Sequence, residues 1–135
     1  MARNNVLLYG DRHFKPTKEM AARVAQVLNG LSPSCVITDF SPGWNQFVLA
    51  LALDNGIPVV GAAPFPRDFR DTVKTRLTSS ILFNQTLDDF LTNPQTYYDW
   101  LAENVDSVLA HYSPDTHRPM LKLHQRVKLY NLGGR

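Results

Sequence analysis

The sequence has a single cysteine, Cys35, and no long apolar run. One cysteine excludes a disulfide framework and a thiolate metal site, and its position in an apolar segment argues against a reactive thiol. No apolar run reaches the roughly 18 residues that a membrane-spanning helix needs, and the amino terminus MARNN lacks the apolar core of a signal peptide. We therefore predict a cytoplasmic protein with no membrane partner.

An excess of charge of one sign is also missing. The chain has 14 Lys and Arg against 12 Asp and Glu, and a net charge of +2 is too small to indicate nucleic acid by itself. The exception is the carboxyl-terminal segment 118–135, which has basic residues and no acid. Within it Arg118, Lys122 and Arg126 recur every four residues, a stripe that either meets nucleic acid or an acidic protein or forms a solvated helix face.

At 135 residues with 44% hydrophobic content, the chain is long enough to bury its own core as one domain, 1–135. Its central stretch, 35–65, predicts a βαβ unit, in which the two strands run parallel. The parts are a strand at 35–37, a turn at Ser41-Pro42-Gly43, a helix at 44–53, a left-handed cap at Asn55-Gly56 and a strand at 57–62.

Similar patterns fill the rest of the chain. Residues 5–10 (NVLLYG) predict a first buried strand, and Thr17 is placed to cap a helix that stops at Asn29-Gly30. The later predicted elements are a charged helix at 68–77, a short strand within 79–86, a helix from Pro94 with Tyr97, Trp100, Leu101 and Val105 on its buried face, a strand at 107–112, and a closing helix from Pro119 with Met120, Leu123, Val127 and Tyr130 in one stripe, ended by Gly133-Gly134.

This alternation of strands and helices predicts an α/β fold. The expected architecture is a three-layer αβα Rossmann-like sandwich around a mostly parallel sheet of four to five strands. In such sheets ligands bind in the crevice outside the carboxyl ends of the strands, where helix amino termini offer N–H groups. The turns at this edge therefore contain the candidate ligand-binding residues, which are Gly10, Arg12, His13, Ser41, Gly43, Trp44, Asn45, Gln46, Pro64, Phe65, Tyr112, Ser113, His117 and Arg118.

Several residues at this edge have two interpretations. Arginine can hold a phosphate in bidentate fashion, and Ser41 can cap the following helix or bond an anion. Trp44, Phe65 and Tyr112 either stack on a base or close the lid of the core. Asp39 is either a general base or a turn aspartate.

Catalytic and metal chemistry have weaker signals. His13 and His117 have the side chains suited to acid or base work near neutral pH. His111 and His124 have no ligand partner at zinc spacing, so we predict no metal site, and we predict no cofactor. Ser41 lacks the Gly-x-Ser-x-Gly setting of an exposed nucleophile.

Two motifs carry a family resemblance. The first strand ends in Gly10-Asp11-Arg12 and the third runs into Pro64-Phe65. With the GIPVVGAAPF block, the Tyr-rich helix before an apolar strand and the YSPDTHRP loop, the chain resembles the YpsA-like branch of the SLOG superfamily from Val6 to about Leu129. That Rossmann-like group includes the DNA-processing protein DprA and the phosphoribohydrolases called LOG. The resemblance implies nucleotide-like ligands and, because oligomers are common in the superfamily, a homo-oligomer.

The departures from the family pattern are equally specific. The second βα turn reads TDFSPGWN over residues 38–45, where relatives have several glycines, and Asn45 stands where an aspartate is expected. The Pro-Gly-Gly-x-Gly-Thr signature of the phosphoribohydrolases is absent, and with it their catalytic glutamate. The pattern also predicts that the chain ends after its last helix, without the further strand of longer relatives.

These features together predict a protein that binds a nucleotide or nucleotide-derived small molecule at the carboxyl edge of the sheet, as a sensor or a sequestering protein. One alternative is a nucleoside 5′-monophosphate N-glycosidase resembling LOG, with Asp39 as its base. The other is a protein-interaction or single-stranded DNA module resembling DprA, which would use the basic last helix.

Overall fold

The structure, a computed structural model, describes residues 3–39, 41–61, 81–83, 94–112 and 127–133. These residues form six strands and three helices. The strands are β1 (Asn5–Gly10), β2 (Cys35–Thr38), β3 (Val59–Gly61), β4 (Ile81–Phe83), β5 (Ser107–His111) and β6 (Lys128–Asn131); the helices are α1 (Lys18–Leu31), α2 (Trp44–Asp54) and α3 (Pro94–Asn104).

The six strands form one sheet in the order β4-β3-β2-β1-β5-β6. Every neighbouring pair is parallel, and β1 is flanked by β2 and β5. Strands β2, β3 and β4 are thus added in sequence on one side of β1, and β5 and β6 are added on the other side of β1. The predicted α/β fold with a parallel sheet is confirmed, with one strand more than the predicted upper number.

Alternate residues of each strand face opposite sides of the sheet, as the two-residue period of a strand requires. Val6 and Leu8 of β1 belong to a cluster with buried residues of α1 and α2. Leu7, between them, belongs to a second cluster with Leu101 of α3 and Val105. Helices therefore cover both faces of the sheet, which gives the three layers expected from the sequence.

The helix ends follow local capping chemistry. Thr17 caps α1 as predicted, because its side chain accepts a hydrogen bond of 3.1 Å from the backbone N–H of Met20. That helix does not stop at Asn29-Gly30 but continues to Leu31 and ends at Ser32, whose φ of 46° is left-handed. At the end of α2, Gly56 has a φ of 70° and supplies the predicted left-handed turn.

The predicted closing helix is wrong at its carboxyl-terminal end. Lys128–Asn131 is strand β6, in which Leu129 pairs with Val108 and Tyr130 with Leu109. Val127 and Tyr130 are three residues apart and fit a helical stripe, but a strand of four residues has too short a pattern to reveal itself. The expectation that no strand follows the last helix is wrong for the same reason, because pairing with β5 decides this segment.

Other predicted elements have mixed outcomes. The strand at 81–83 and the helix from Pro94 are confirmed, and Leu101 and Val105 are buried as expected. The helix predicted at 68–77, and residues 113–126 of the predicted closing segment, lie outside the described residues. Within the part of the chain that the structure describes, no helix is long and apolar enough to cross a membrane.

An ion pair joins the start of the chain to the start of β5. The Arg3 Nε and Nη2 atoms each donate a hydrogen bond of 3.0 Å to the carboxylate of Asp106, which also accepts one of 2.9 Å from the backbone N–H of Asn5. The hydrogen bond from Arg3 is the main cause that holds the pKa of Asp106 below its ordinary value. The contact ties β1 and β5 together at the amino edge of the sheet.

We expect this contact to make folding stability depend on pH in the acidic range. Because the folded-state pKa of Asp106 is lowered, its stabilising effect is present above the unfolded value of about 4 and is lost as the pH falls through the lowered pKa. Urea denaturation between pH 7 and pH 3 should therefore show a smaller loss of unfolding free energy in Asp106→Asn than in the wild type. Asp54→Asn, which removes an exposed carboxylate at the end of α2, should keep the wild-type dependence. Equal pH dependence in all three proteins would contradict this role of Asp106.

Candidate functional site

The carboxyl edge of the sheet brings together the ends of β1, β2 and β5. Gly10, the last residue of β1, pairs with His111 at the end of β5, and on the other side β1 pairs with β2. The chain leaves β1 toward α1 and leaves β2 toward α2, so the two loops meet above the centre of the sheet. The strand order reverses beside them, between β1 and β5, and parallel sheets bind their ligands at such a reversal.

Asp11 joins the three elements at this edge through its backbone. Its N–H donates to the His111 carbonyl over 2.9 Å, and its carbonyl accepts from the Trp44 N–H over 3.0 Å. Its side chain accepts a hydrogen bond of 2.8 Å from the N–H of His13, which shapes the loop. Sequence reasoning did not single out Asp11, although its position directly after a strand-ending glycine was visible.

Gly43 allows the two loops to come this close. It has a φ of 79°, and a Cβ there would overlap the Asp11 carbonyl oxygen and lie 2.5 Å from the Arg12 carbonyl carbon. Gly43 is also the N-cap of α2, with no side-chain hydrogen bond to the helix. Of the two interpretations of Ser41, the helix cap is therefore wrong, because the chain needs the left-handed turn of a glycine at the cap itself.

Trp44, the first residue of α2, is buried beneath the edge with 0% exposure. Its indole N–H donates a hydrogen bond of 3.1 Å to the Leu109 carbonyl, and its ring meets those of Phe14 and His111 at centroid distances of 5.0 and 5.2 Å. A Cβ on Gly10 would lie 2.6 Å from the Trp44 ring. Trp44 thus closes the core, and in this structure its faces are not available to stack on a base.

Tyr112 has a similar position at the end of β5. It is 5% exposed and packs edge-on against Tyr9 at a centroid distance of 5.4 Å, and burial raises the pKa of its hydroxyl. The side chain of Asn131 in β6 accepts a hydrogen bond of 3.2 Å from the backbone N–H of Tyr112 and donates one of 2.9 Å to the Tyr112 carbonyl. Sequence reasoning missed this use of Asn131 because it assigned the segment to a helix.

Asp39 organises the turn after β2. Its Oδ1 atom accepts a hydrogen bond of 2.9 Å from the Ser41 N–H and one of 2.8 Å from Asn45 Nδ2. The bond from the Ser41 N–H forms an Asx turn, as expected if Asp39 is a turn aspartate. Ser41 and Asn45 are 5% and 2% exposed, so these two candidate ligand-binding residues are buried beneath the surface of the carboxyl edge.

Two buried side-chain atoms at this edge lack hydrogen-bond partners within the part of the chain that the structure describes. They are Asn45 Oδ1 and His111 Nδ1. Buried polar atoms are almost always paired, by protein or by ordered water, so such atoms need an explanation. The sequence offers His111 only as a candidate metal ligand, and its place beside the Phe14 ring, at a centroid distance of 4.7 Å, depends on a contact between separate elements.

The remaining predicted site residues divide into two groups. Arg12, His13 and Gln46 are exposed at the carboxyl edge, and the Arg12 backbone lies against Gly43. The others lie outside the described residues, and they are Pro64, Phe65, Ser113, His117 and Arg118. Lys122 and Arg126, the other members of the basic stripe, also lie outside them.

The described residues offer little support for a nucleophile or a metal site. Cys35 begins β2 at the opposite, amino edge, where its thiol donates to Asn5 Oδ1 over 3.4 Å and where burial raises its pKa. A thiol of this kind is a weak nucleophile. Across residues 3–39, 41–61, 81–83, 94–112 and 127–133, no group of three or more His, Cys, Asp or Glu could hold a metal ion.

Comparison with known proteins adds no assignment to this geometry. The chain matches no protein-family model, and no curated protein matches it. The resemblance to SLOG proteins accordingly depends on the motifs quoted above.

The close approach at Gly43 predicts a large effect of a single methyl group. Gly56 also has a positive φ, but nothing lies within 4 Å of a Cβ there, so Gly56→Ala should lower the unfolding free energy by about 1–2 kcal/mol through backbone strain alone. Gly43→Ala should cost about 3 kcal/mol or more, because the Asp11–Arg12 backbone must also move. Urea denaturation followed by tryptophan fluorescence measures both losses. Equal losses would show that the two loops are not in close contact.

Proposed function

We propose that this protein binds a nucleotide or a nucleotide-derived small molecule at the carboxyl edge of its sheet, and that it acts as a sensor or a sequestering protein. We also propose that it belongs with the YpsA-like SLOG proteins that its motifs resemble. The observation that carries the binding proposal is the junction at which Gly43 and Trp44 hold the β1–α1 loop against the start of α2.

That junction favours an anionic ligand. The 11-residue helix α2 has its partly positive amino terminus at this point, and the neighbouring β1–α1 loop carries the exposed side chains of Arg12 and His13. A guanidinium group can hold a phosphate by two parallel hydrogen bonds. Because the loop is fixed by the backbone bonds of Asp11, little loop entropy is lost on binding.

Binding is favoured over hydrolysis by the surroundings of Asp39. The N-glycosidase alternative uses this carboxylate as a base, but one of its oxygens already accepts two hydrogen bonds within its own turn. That oxygen is therefore already engaged by two donors of the protein and is less available to a substrate. The DNA-binding alternative uses Arg118, Lys122 and Arg126, which lie outside the described residues, so no contact described here favours it.

A thermal-shift screen tests the proposal directly. The purified protein is titrated with nucleoside monophosphates, cyclic and linear dinucleotides, NAD and ADP-ribose. A ligand at about 100 times its dissociation constant should stabilise the folded state by roughly 2.7 kcal/mol. We expect Arg12→Ala to require at least tenfold more ligand for the same shift, since it removes a charged contact to phosphate.

The matched control is Arg23→Ala, which removes an exposed arginine from α1 and should leave the shift unchanged. Product analysis with the bound ligand then separates a sensor from an enzyme. A folded wild-type protein that responds to none of these compounds would overturn the proposal, and an equal shift in wild type and Arg12→Ala would remove the site from this edge.

A further inference from the structure

Asn45 is a buried amide whose nitrogen is hydrogen-bonded and whose oxygen is not. The side chain is 2% exposed and lies in the first turn of α2, directly after Trp44. Its Nδ2 atom donates to Asp39 Oδ1 over 2.8 Å, while its Oδ1 atom has no partner among the residues that the structure describes. A buried acceptor left in this state is unfavourable relative to one that is paired.

The orientation of this amide is fixed by chemistry. An ionised carboxylate only accepts hydrogen bonds, so the atom of Asn45 that faces Asp39 has to be the amide nitrogen. Rotating the amide by half a turn would place two oxygens 2.8 Å apart. Asp39 is itself held in place by the Ser41 N–H. The unpartnered atom is therefore an oxygen, and it can be satisfied only by a donor.

We propose that Asn45 is the residue that selects the base of the bound nucleotide, through a hydrogen bond from an amino group of the base to Asn45 Oδ1. This inference rests on the nucleotide binding proposed above. Asn45 Oδ1 is a buried acceptor on an amide that is held in place by its bond to Asp39. An exocyclic amine, as in adenine or cytosine, donates to such an acceptor, whereas the keto oxygen of hypoxanthine or uracil is repelled by it.

The oxygen is covered in the structure, so the amino group reaches it only when residues at this edge rearrange on binding. The selectivity that results has a known form. A site whose buried polar group is paired by the correct ligand leaves that group unpaired with the analogue, and it rejects the analogue on that account. For one neutral hydrogen bond in a buried position, a preference of about tenfold is expected.

The test compares nucleotides that differ at one position of the base. Dissociation constants of AMP and IMP, and of CMP and UMP, are measured by calorimetry with the wild type and with Asn45→Leu, which has the same number and branching of side-chain heavy atoms and no amide. We expect the wild type to bind the amino member of at least one pair about tenfold more tightly, and Asn45→Leu to bind both members of that pair within a factor of about two.

Two further measurements keep the outcome decisive. Purine riboside 5′-monophosphate, which lacks any group at the amino position, should bind the wild type about as weakly as IMP does. This measurement uses the wild-type protein alone, so it does not depend on whether a variant folds. Arg12→Ala should weaken the binding of AMP and the binding of IMP by the same factor, since both nucleotides have the same phosphate group.

The failures of the two proposals differ. Binding of all four nucleotides with equal affinity, a preference for the keto base, or an amino preference that survives in Asn45→Leu would overturn the role of Asn45 and leave nucleotide binding in place. No binding of any of the four to folded wild type overturns the base-selecting role, and it overturns nucleotide binding as well if the dinucleotides, NAD and ADP-ribose also fail to bind.

Discussion

The packing of Trp44 on Gly10 sets the geometry of the carboxyl edge. The ring fits only because Gly10 has no Cβ, and the indole N–H is bonded to the Leu109 carbonyl of β5. The backbone N–H of the same residue is bonded to Asp11. This one residue therefore fixes the start of α2 relative to both β1 and β5, and it thereby positions the loops on either side.

This arrangement moves the polar part of the edge toward β2. At the reversal point between β1 and β5, where a parallel sheet usually opens into a crevice, the buried ring of Trp44 and the half-buried ring of Phe14 fill the space beside His111. The polar groups gather instead at the end of β2, in the turn formed by Asp39 and Asn45. A ligand at this edge would have its phosphate near the β1–α1 loop and its base on the β2 side.

Local sequence patterns predicted the fold well where they were long. The apolar run of β1 and the Thr17 cap of α1 identify these elements because each depends on neighbours in the chain. Strand β6 failed because four residues carry no period and its identity comes from pairing with β5. In the site, Arg12 and Gly43 could be named from the sequence, but the burial of Trp44 and the unpaired oxygen of Asn45 depend on contacts between separate elements.

The two edges of the sheet differ in how the side-chain amides of their asparagines are paired. At the amino edge, Asn4 donates to the Leu31 carbonyl and accepts from Ser107, and Asn5 donates to the Asn104 carbonyl and accepts from Cys35. Both amides use both of their ends, as a structural network should. At the carboxyl edge, Asn45 leaves its oxygen without a partner among the described residues. The unpaired Oδ1 atom of Asn45 is thus the feature of this edge on which the proposed selection of the base depends.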